Sequence, residues 1–497
     1  MKTRNLFLSL FAFAALCACN KEAQPETPAV LENDAYVAVN IVSPANTATR
    51  GESGDADKWY DAIGKDEENY VKEATFLFFD ETNTLTAIEE VIFENNNEFT
   101  DGAEDPRTEV ISSAVLVIEQ ETVMPEKMIV VINADVTGTV GTTTMSDIQN
   151  QTNDYSGKTQ GAFVMSNSVY VVDGNVIDYT VIPASSIKST AEAAKAAPVD
   201  VYVERVLAKV QASAAAEASK QKSLELNNGA TLFYAPKYTG FTLANLADKS
   251  YLVKHLSSSY AGWSWTAWND PANFRSYWAN CPDDLAVQIV NDYKDISNNP
   301  IYCYENTKSM TELIVGATLY DTKNTPEDTD DTVLDIVKYL GDYWLFEDYA
   351  KEGIKLLTAY TGLNTSHLTT KNTGSKAYEV KLVLNEGGET LIADPVKIAE
   401  INNILAGMEA AWHWKNGQTY FFTNVEHFGT DSAKNTHAVV RNHIYDIKVT
   451  GIAGLGTPVV DPELPIDPET PTDVEYYLAA KINILQWKVV SQEVSFN

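Results

Sequence analysis

The stretch AYVAVNIV at residues 35–42 is an isolated β-strand pattern that begins the apolar part of the chain. Val37, Val39 and Ile41 alternate with residues of the opposite face, which is typical of a strand with one buried side. Residues 43–55, SPANTATRGESGD, follow at once and are small, polar and rich in turn formers. The sequence therefore predicts a single apolar strand, joined to the rest of the chain by an exposed, flexible loop that contains Arg50 and Gly51.

A series of short apolar runs after this loop predicts a β-sandwich domain over residues 51–225. The runs occupy residues 71–79, 110–119, 127–133, 162–172 and 199–210, and Gly, Asn and Asp separate most of them. Such spacing is typical of sandwich strands. Residues 190–197 predict a short helix that Pro198 ends, because proline cannot continue a helix. The polar residues 211–228 mark the region of the domain boundary.

The second half, residues 226–458, predicts another mostly β domain with helical insertions. Residues 332–359 and 397–412 carry apolar side chains at helical spacing, so we expect a helix in each. The acidic residues 325–335 precede the first of them. These carboxylates lack the glycine and the ligand spacing of a calcium loop, which favours a solvated turn over a metal site.

Residues 459–497 predict a spacer followed by a detached strand. Four prolines among six acidic residues lie within 459–475, and such a segment is extended and semi-rigid. Residues 476–497 then form a long apolar strand pattern, in which Trp487 is the largest apolar side chain. An unpaired apolar strand must pair with a partner or aggregate. The residues that we expect to make the contact are Ile482, Ile484, Leu485, Trp487, Val489 and Val490.

The first nineteen residues have the layout of a secretory signal peptide. Lys2 and Arg4 precede the apolar residues 6–16, which are too short to span a bilayer. The segment ends in LCAC, which resembles the lipobox of bacterial lipoproteins, with Cys19 as the lipidated residue; the alternative is an ordinary cleaved leader. Residues 20–50 would then be a propeptide. Cys281 and Cys303 remain after Cys19, either as a disulfide or as two separate thiols.

Length and charge narrow the class of protein. A chain of 497 residues is long enough for two or three domains. Its net charge of −33 opposes binding to nucleic acid and to anionic membranes, because both require a basic surface. The chain contains no apolar run of 18 residues or more, so contact with a membrane is expected only through the lipid of the precursor.

These features together resemble the fimbrillins of Bacteroidales, the subunits of the type V pilus. The resemblance covers nearly the whole chain and depends on the order and spacing of several short segments. They are residues 16–19, 49–51, 128–134 (MIVVINA), 163–167 (FVMSN), 201–210 (VYVERVLAKV), 302–307 (YCYENT), 440–447 (VRNHIYDI), 454–458 (GLGTP) and 487–492 (WKVVSQ).

The resemblance implies an all-β fold with minor helices: two transthyretin-like Greek-key β-sandwich domains plus a C-terminal donor strand. It also implies a lipoprotein precursor at the outer membrane and a fimbrium at the cell surface that supports adhesion and biofilm formation. An arginine-specific protease would cut the Arg50–Gly51 bond, after which the first strand leaves. The C-terminal strand of another copy fills the groove, giving a homopolymer that also contacts anchor and tip subunits.

Two other classes of function compete with this interpretation. An enzyme is disfavoured, because the six histidines accompany no HExxH, GxSxG or phosphate-binding glycine motif; we therefore expect no catalytic residue, metal or cofactor. A glycan-binding surface lipoprotein would use the aromatic residues of 263–278, although such a cluster is more often buried. An accessory or tip subunit is the alternative within the pilus class. The cleavable loop and the free tail favour a shaft subunit.

Overall fold

The structure is a computed structural model of the full chain. The residues that it describes are 30–43, 70–93, 100–101, 109–119, 122–154, 163–172, 175–255, 279–284, 286–288, 300–325, 328–373, 378–427, 439–459, 477–485 and 490–492.

The first part of the chain forms a nine-stranded sheet among these residues. The elements are β1 Ala35–Ser43, β2 Glu73–Phe79, β3 Leu85–Ile92, β4 Thr100–Asp101, β5 Glu109–Ile118, β6 Lys127–Ile132, α1 Met145–Gln149, β7 Thr152–Asp154, β8 Met165–Asn167, β9 Tyr170–Val172, β10 Asn175–Ile177, β11 Thr180–Val181, α2 Ala191–Lys195 and β12 Val199–Arg205. The strand order is β3-β2-β6-β8-β12-β1-β5-β4, with β11 also paired to β6. β9 and β10 form a separate hairpin.

β2 is buried on both of its faces over residues 76–79. Phe76 and Phe78 of β2 pack into the core enclosed by the sheet, beside Val37 and Val39 of β1. Leu77 on the opposite face belongs to a second core, which also contains Leu252 of the second half of the chain. Residues 76–79 therefore form a continuous apolar run, since neither face of the strand reaches water.

The second part of the chain forms the remaining elements. They are β13 Leu207–Ala214, β14 Lys222–Glu225, β15 Thr231–Ala244, β16 Leu246–Ala247, β17 Lys249–Tyr251, β18 Val287–Gln288, β19 Ile301–Tyr304, β20 Glu312–Asp321, β21 Thr332–Val333, β22 Ile336–Tyr339, β23 Asp342–Leu345, α3 Phe346–Leu356, β24 Leu368–Asn372, β25 Val380–Leu384, α4 Glu386–Ile392, α5 Pro395–Ala406, β26 Trp412–Trp414, β27 Gln418–Asn424, β28 Ile444–Ala453, β29 Thr457–Pro458, β30 Tyr477–Leu485 and β31 Val490–Gln492.

Two sheets of this second part enclose a common core. One has the order β18-β16-β19-β13-β28-β30-β31, and the other has the order β14-β15-β20-β27-β29 with β21 also paired to β20. Val210 and Ile447 of the first sheet pack with Phe241, Leu313 and Phe421 of the second. The all-β fold class with minor helices is therefore confirmed, whereas the Greek-key order stays a prediction.

An insertion separates β20 from β27, although these two strands are neighbours in their sheet. It contains the small sheet β23-β22-β26, the hairpin β24–β25 and the helices α3, α4 and α5. Its own core includes Tyr349, Leu382, Ile401 and Leu405. The predicted helical insertions are present, with three helices in the described residues rather than two.

The predicted helix at residues 332–359 is wrong over its first half. β22 and β23 form a hairpin there, and α3 begins only at Phe346. Leu340 and Gly341 both have positive φ, 52° and 93°, which is the backbone of a tight hairpin turn. The helix predicted at residues 397–412 is α5, which ends at Ala406, and Trp412 lies in β26. α5 begins at Pro395 because the Asp394 side chain accepts a hydrogen bond from the Val396 N–H and proline is favoured in the first helical turn.

The chain passes from the first sheet to the second at Val206, between β12 and β13. β12 pairs with β1 and β8, whereas β13 pairs with β19 and β28. The single strand predicted at residues 199–210 is therefore two strands, and the change of sheet precedes the predicted domain boundary at residue 225. The division of the chain into two sandwich domains remains a proposal, with its boundary moved to Val206.

A buried ion pair of the second part anchors the segment that contacts the first part. Arg441 and Glu305 form a salt bridge and both side chains are 1% exposed. The Arg441 guanidinium also donates to Ser250 Oγ (2.8 Å) and to the carbonyl of Tyr251 (3.0 Å). The adjacent Leu252 donates its N–H to the carbonyl of Gln151 and accepts from Ser166 Oγ. Residues 250–252 are thus held between the two parts of the chain.

We expect Arg441→Met to lower the free energy of unfolding by about 3–5 kcal/mol, because it leaves the buried Glu305 carboxylate without its partner. Chemical denaturation of the full chain measures the change. The matched control is Lys249→Ala, which removes the exposed ion pair with Asp284 at the same junction and should change stability little. An unchanged midpoint for Arg441→Met would contradict a structural role of the buried pair.

Candidate assembly site: the first strand and the C-terminal strand

The first strand, β1, lies in the interior of its sheet and has a neighbour on each side. It runs parallel to β12, with Val39 opposite Val199 and Ile41 opposite Val201. It runs antiparallel to β5, with Val37 opposite Leu116. Both edges of the strand therefore carry ladder hydrogen bonds, although the strand comes first in the described chain.

The inward face of β1 is part of the main core of the first sheet. Val37, Val39 and Ile41 are fully buried there, among residues of β2, β5, β6 and β12. Each such side chain contributes roughly 1.5–3 kcal/mol by its burial. Loss of β1 would expose this apolar slot and leave β5 and β12 with unpaired edges, which is the type of surface that captures another strand.

The outward face of β1 is covered by the segment that contains α2. Lys188 first pairs with the edge of β1 through two backbone hydrogen bonds to Tyr36, of 2.7 and 2.9 Å, and α2, which follows in the chain, packs against the strand. Ala38 of β1 is 4% exposed and Ala194 of α2 is fully buried. An outward position under the helix therefore suits a small side chain.

A polar pair lies on the solvent-facing side of β1 and β12. Asn40 stands directly opposite Asp200 in the parallel ladder, and its Nδ2 donates to Asp200 Oδ1 at 2.9 Å. Asp200 is exposed. The sequence predicted the helix at residues 190–197, which is α2, but neither its position against β1 nor the role of Asp200, because pairing between strands so distant in the chain leaves no local signal.

The predicted cleavage bond Arg50–Gly51 and the predicted lipid anchor Cys19 lie outside the described residues. The chain is described up to Ser43, at the end of β1, and again from Tyr70 onward. The aromatic residues 263–278 of the glycan-binding alternative and the spacer residues 460–476 also lie outside the described residues.

The C-terminal strand is paired within its own chain. β30 runs antiparallel to β28, with Ile482 opposite Ile447, Ile484 opposite Tyr445 and Leu485 opposite Ile444. β31 folds back on β30 and places Val490 opposite Ile484. The expectation that the whole tail is detached from its own domain is therefore wrong for residues 477–485, because the spacer before it allows the chain to return. Trp487 and Val489 lie outside the described residues.

The other candidate residues do not form a reactive site. Cys281 and Cys303 are free cysteines, and burial raises the pKa of the Cys303 thiol to about 12. His413 and His427 are buried; His413 stacks on Phe346 and His427 bonds the Tyr445 hydroxyl. Within the described ranges, no group of three or more potential metal ligands is present, and no helix is long and apolar enough to cross a bilayer.

A family of known proteins matches the C-terminal segment of the chain. Residues 413–493, which include β27, β28, β30 and β31, match the family described as major fimbrial subunit protein type IV, fimbrillin, C-terminal. No curated protein matches the chain significantly.

Among solved structures, a fimbrilin of Porphyromonas gingivalis W83 is 11% identical, with a TM-score of 0.37 and coverage of 91% of this chain and 99% of that one. The tip fimbrial protein Mfa3 of Porphyromonas gingivalis, with a C-terminal truncation, is 13% identical, with a TM-score of 0.34 and coverage of 91% and 100%. A fimbrial assembly protein of Parabacteroides distasonis ATCC 8503 is 13% identical, with a TM-score of 0.32 and coverage of 57% and 82%. With TM-scores below 0.5, these likenesses are too distant to establish a function. The family match over residues 413–493 confirms the predicted resemblance of this chain to the fimbrillins.

Proposed function

We propose that this chain is a structural subunit of a cell-surface fimbrium that polymerises by donor-strand exchange. The observation that carries the proposal is the position of β1, an interior strand with three fully buried side chains that precedes the rest of the sheet in the chain. Its removal would open a slot, and the C-terminal strand of a second copy has the length to fill it, since β1 and β30 each contain nine residues.

Cleavage after Arg50 would control the exchange. Two of the other arginines, Arg205 and Arg441, are 2% and 1% exposed and are poor substrates for a protease. Arg4 lies in the leader, and cleavage after Arg107 or Arg275 would leave β1 covalently joined to β2 and β3. An arginine-specific protease acting at Arg50–Gly51 would release β1 from the sheet.

The donor segment would extend from β30 into the residues predicted to make the contact: Ile482, Ile484, Leu485, Trp487, Val489 and Val490. Apolar burial and ladder hydrogen bonds would then hold each junction, as in other cases of strand addition to a sheet. A chain with both a cleavable loop and a donor tail suits the shaft. Its partners would be identical copies, together with anchor and tip subunits.

The test of the proposed function is assembly in vitro. Purified full-length protein incubated with an arginine-specific protease should give a ladder of polymers on a gel of unboiled samples, and N-terminal sequencing should begin at Gly51. Boiling should collapse the ladder to one band, because the junctions are noncovalent. A cleaved protein that starts at Gly51 and stays monomeric at high concentration would contradict the proposal.

The anchor of the precursor gives a separate prediction. If Cys19 is lipidated, Cys19→Ala should remove incorporation of a fatty-acid analogue and release or trap the precursor before assembly, because the membrane attachment comes from buried methylene groups. Metabolic labelling followed by membrane fractionation measures both effects, with Cys17→Ala as the matched control. Equal labelling of wild type and Cys19→Ala would exclude Cys19 as the anchor.

A further inference from the structure

The first strand and the C-terminal strand share a six-residue pattern. Residues 36–41 of β1 read YVAVNI, and residues 477–482 of β30 read YLAAKI. Three of the six positions are identical, two others are apolar in both strands, and the remaining position is polar in both. The inward positions of β1 therefore match apolar positions of β30.

From this match we infer the direction and register in which a second copy of the chain fills the slot: β30 enters in the direction of β1, parallel to β12, with Tyr477 in the place of Tyr36 and Ile482 in the place of Ile41. The inference rests on the proposed exchange of strands and adds to it a residue-by-residue alignment.

Packing on both faces of the slot fits this alignment. Leu478, Ala480 and Ile482 would take the inward places of Val37, Val39 and Ile41, which are fully buried among apolar residues. Ala479 would take the place of Ala38, which is 4% exposed beside the segment that contains α2, so the same small side chain would return to this buried position. A shift by one residue would turn Lys481 into the core, and a shift by two toward the start of the strand would place it at the Ala38 position, under α2.

The charges around Lys481 favour the same alignment. They also favour the transfer of β30 from its own sheet to the slot of another copy. In its own chain, Lys481 stands directly opposite Lys448, which is exposed, and like charges opposite each other destabilise a pair of strands. In the slot, Lys481 would replace Asn40 and stand opposite Asp200. The move therefore replaces a repulsive cross-strand pair by an attractive one.

Disulfide trapping tests the register. Two full-length variants, one with Lys481→Cys and one with Asp200→Cys, are cleaved separately, mixed and oxidised. Residues directly opposite across a ladder have the separation that a disulfide requires, whereas diagonal neighbours are about 7–8 Å apart. We therefore expect a covalent dimer for Lys481→Cys, in at least about fivefold excess over Ala479→Cys or Asn483→Cys.

The controls separate failure of the register from failure of the exchange. Each single variant oxidised alone gives the background, to which the buried Cys303 thiol should add little and the half-buried Cys281 thiol should add equally in every variant. A maximal yield at residue 479 or 483 would overturn the register while supporting the exchange. Absence of a covalent dimer at every position, in samples that also form no fibres, would contradict the proposed function as well.

Charge reversal provides an independent test. Asp200→Lys should slow polymer growth by about three- to tenfold at low salt, and Lys481→Asp in the same chain should restore it, because exposed pairs are weak and screened. Lys448→Glu should also slow growth, since it stabilises β30 in its own sheet, and Lys448→Gln, which only removes the repulsion, should slow it less. In the uncut chain Asp200→Lys loses only the exposed hydrogen bond from the neutral Asn40, so its melting temperature should stay within a few degrees of wild type. Equal growth rates for all variants would overturn the assigned position of Lys481.

Discussion

Arg50→Ala is expected to remain monomeric after treatment with an arginine-specific protease, although its fold and its C-terminal strand are unchanged. An uncut β1 stays tethered beside its slot at an effective concentration on the order of millimolar. A donor strand present at micromolar concentration would therefore compete about a thousandfold less well, even with equal contacts. The measurement is the fraction of polymer on gels of unboiled samples and in electron micrographs.

Two controls show whether the effect comes from the cut itself. Arg107→Ala should polymerise as wild type does, because that arginine follows β1, β2 and β3 in the chain. A recognition site for an unrelated protease, placed at residues 46–52, should restore polymerisation only when that protease is added. Normal fibres from Arg50→Ala would remove proteolytic activation from the proposed function.

The sequence predicted the strands that are uninterrupted apolar runs. It missed strands whose pattern is broken by proline or glycine. β5 and β6 were identified from their apolar residues, because a run bounded by turn formers has few alternatives. β15, with fourteen residues, was missed, since Pro236 and Gly240 interrupt its pattern. The register shifts between Tyr238 and Gly240, and β14 pairs only as far as Tyr234, so Pro236 faces no strand on that side. Proline is tolerated at such an edge.

The sequence predicted the two strands of the candidate site, but it did not predict which strands each of them pairs with. Alternation identified β1 correctly, because one face of the strand is buried throughout. Its neighbours β5 and β12 could not be assigned, since both pairings span long stretches of sequence. The C-terminal strand was expected to lie apart, because the prolines of residues 459–475 indicate a separation along the chain. These prolines do not show that the C-terminal strand is distant in space from its own domain. In the structure β30 pairs with β28.

Deletion of residues 477–497 is expected to give a folded subunit that accepts a strand but cannot donate one. β28 keeps β13 as its neighbour after the loss of β30, so the melting temperature should fall by a few degrees rather than collapse. The slot of β1 is built from residues 70–205 and is untouched by the deletion. After cleavage, the variant alone should form no fibre, and thermal melting beside electron microscopy of the same samples measures both effects. Loss of the melting transition would show that the domain cannot fold without β30, against a donor role.

The deletion variant and Arg50→Ala are complementary, because one can only accept and the other can only donate. A mixture of the cleaved deletion variant with Arg50→Ala should therefore give a heterodimer and nothing longer, whereas either protein alone stays monomeric. Each should also shorten wild-type fibres when added in small amounts, since one incorporated copy ends growth at its own end of the fibre. The two proteins differ in mass, so mass spectrometry of the unboiled complex identifies the heterodimer directly. Polymers longer than two subunits from this mixture would require a second mode of assembly that does not use the C-terminal strand.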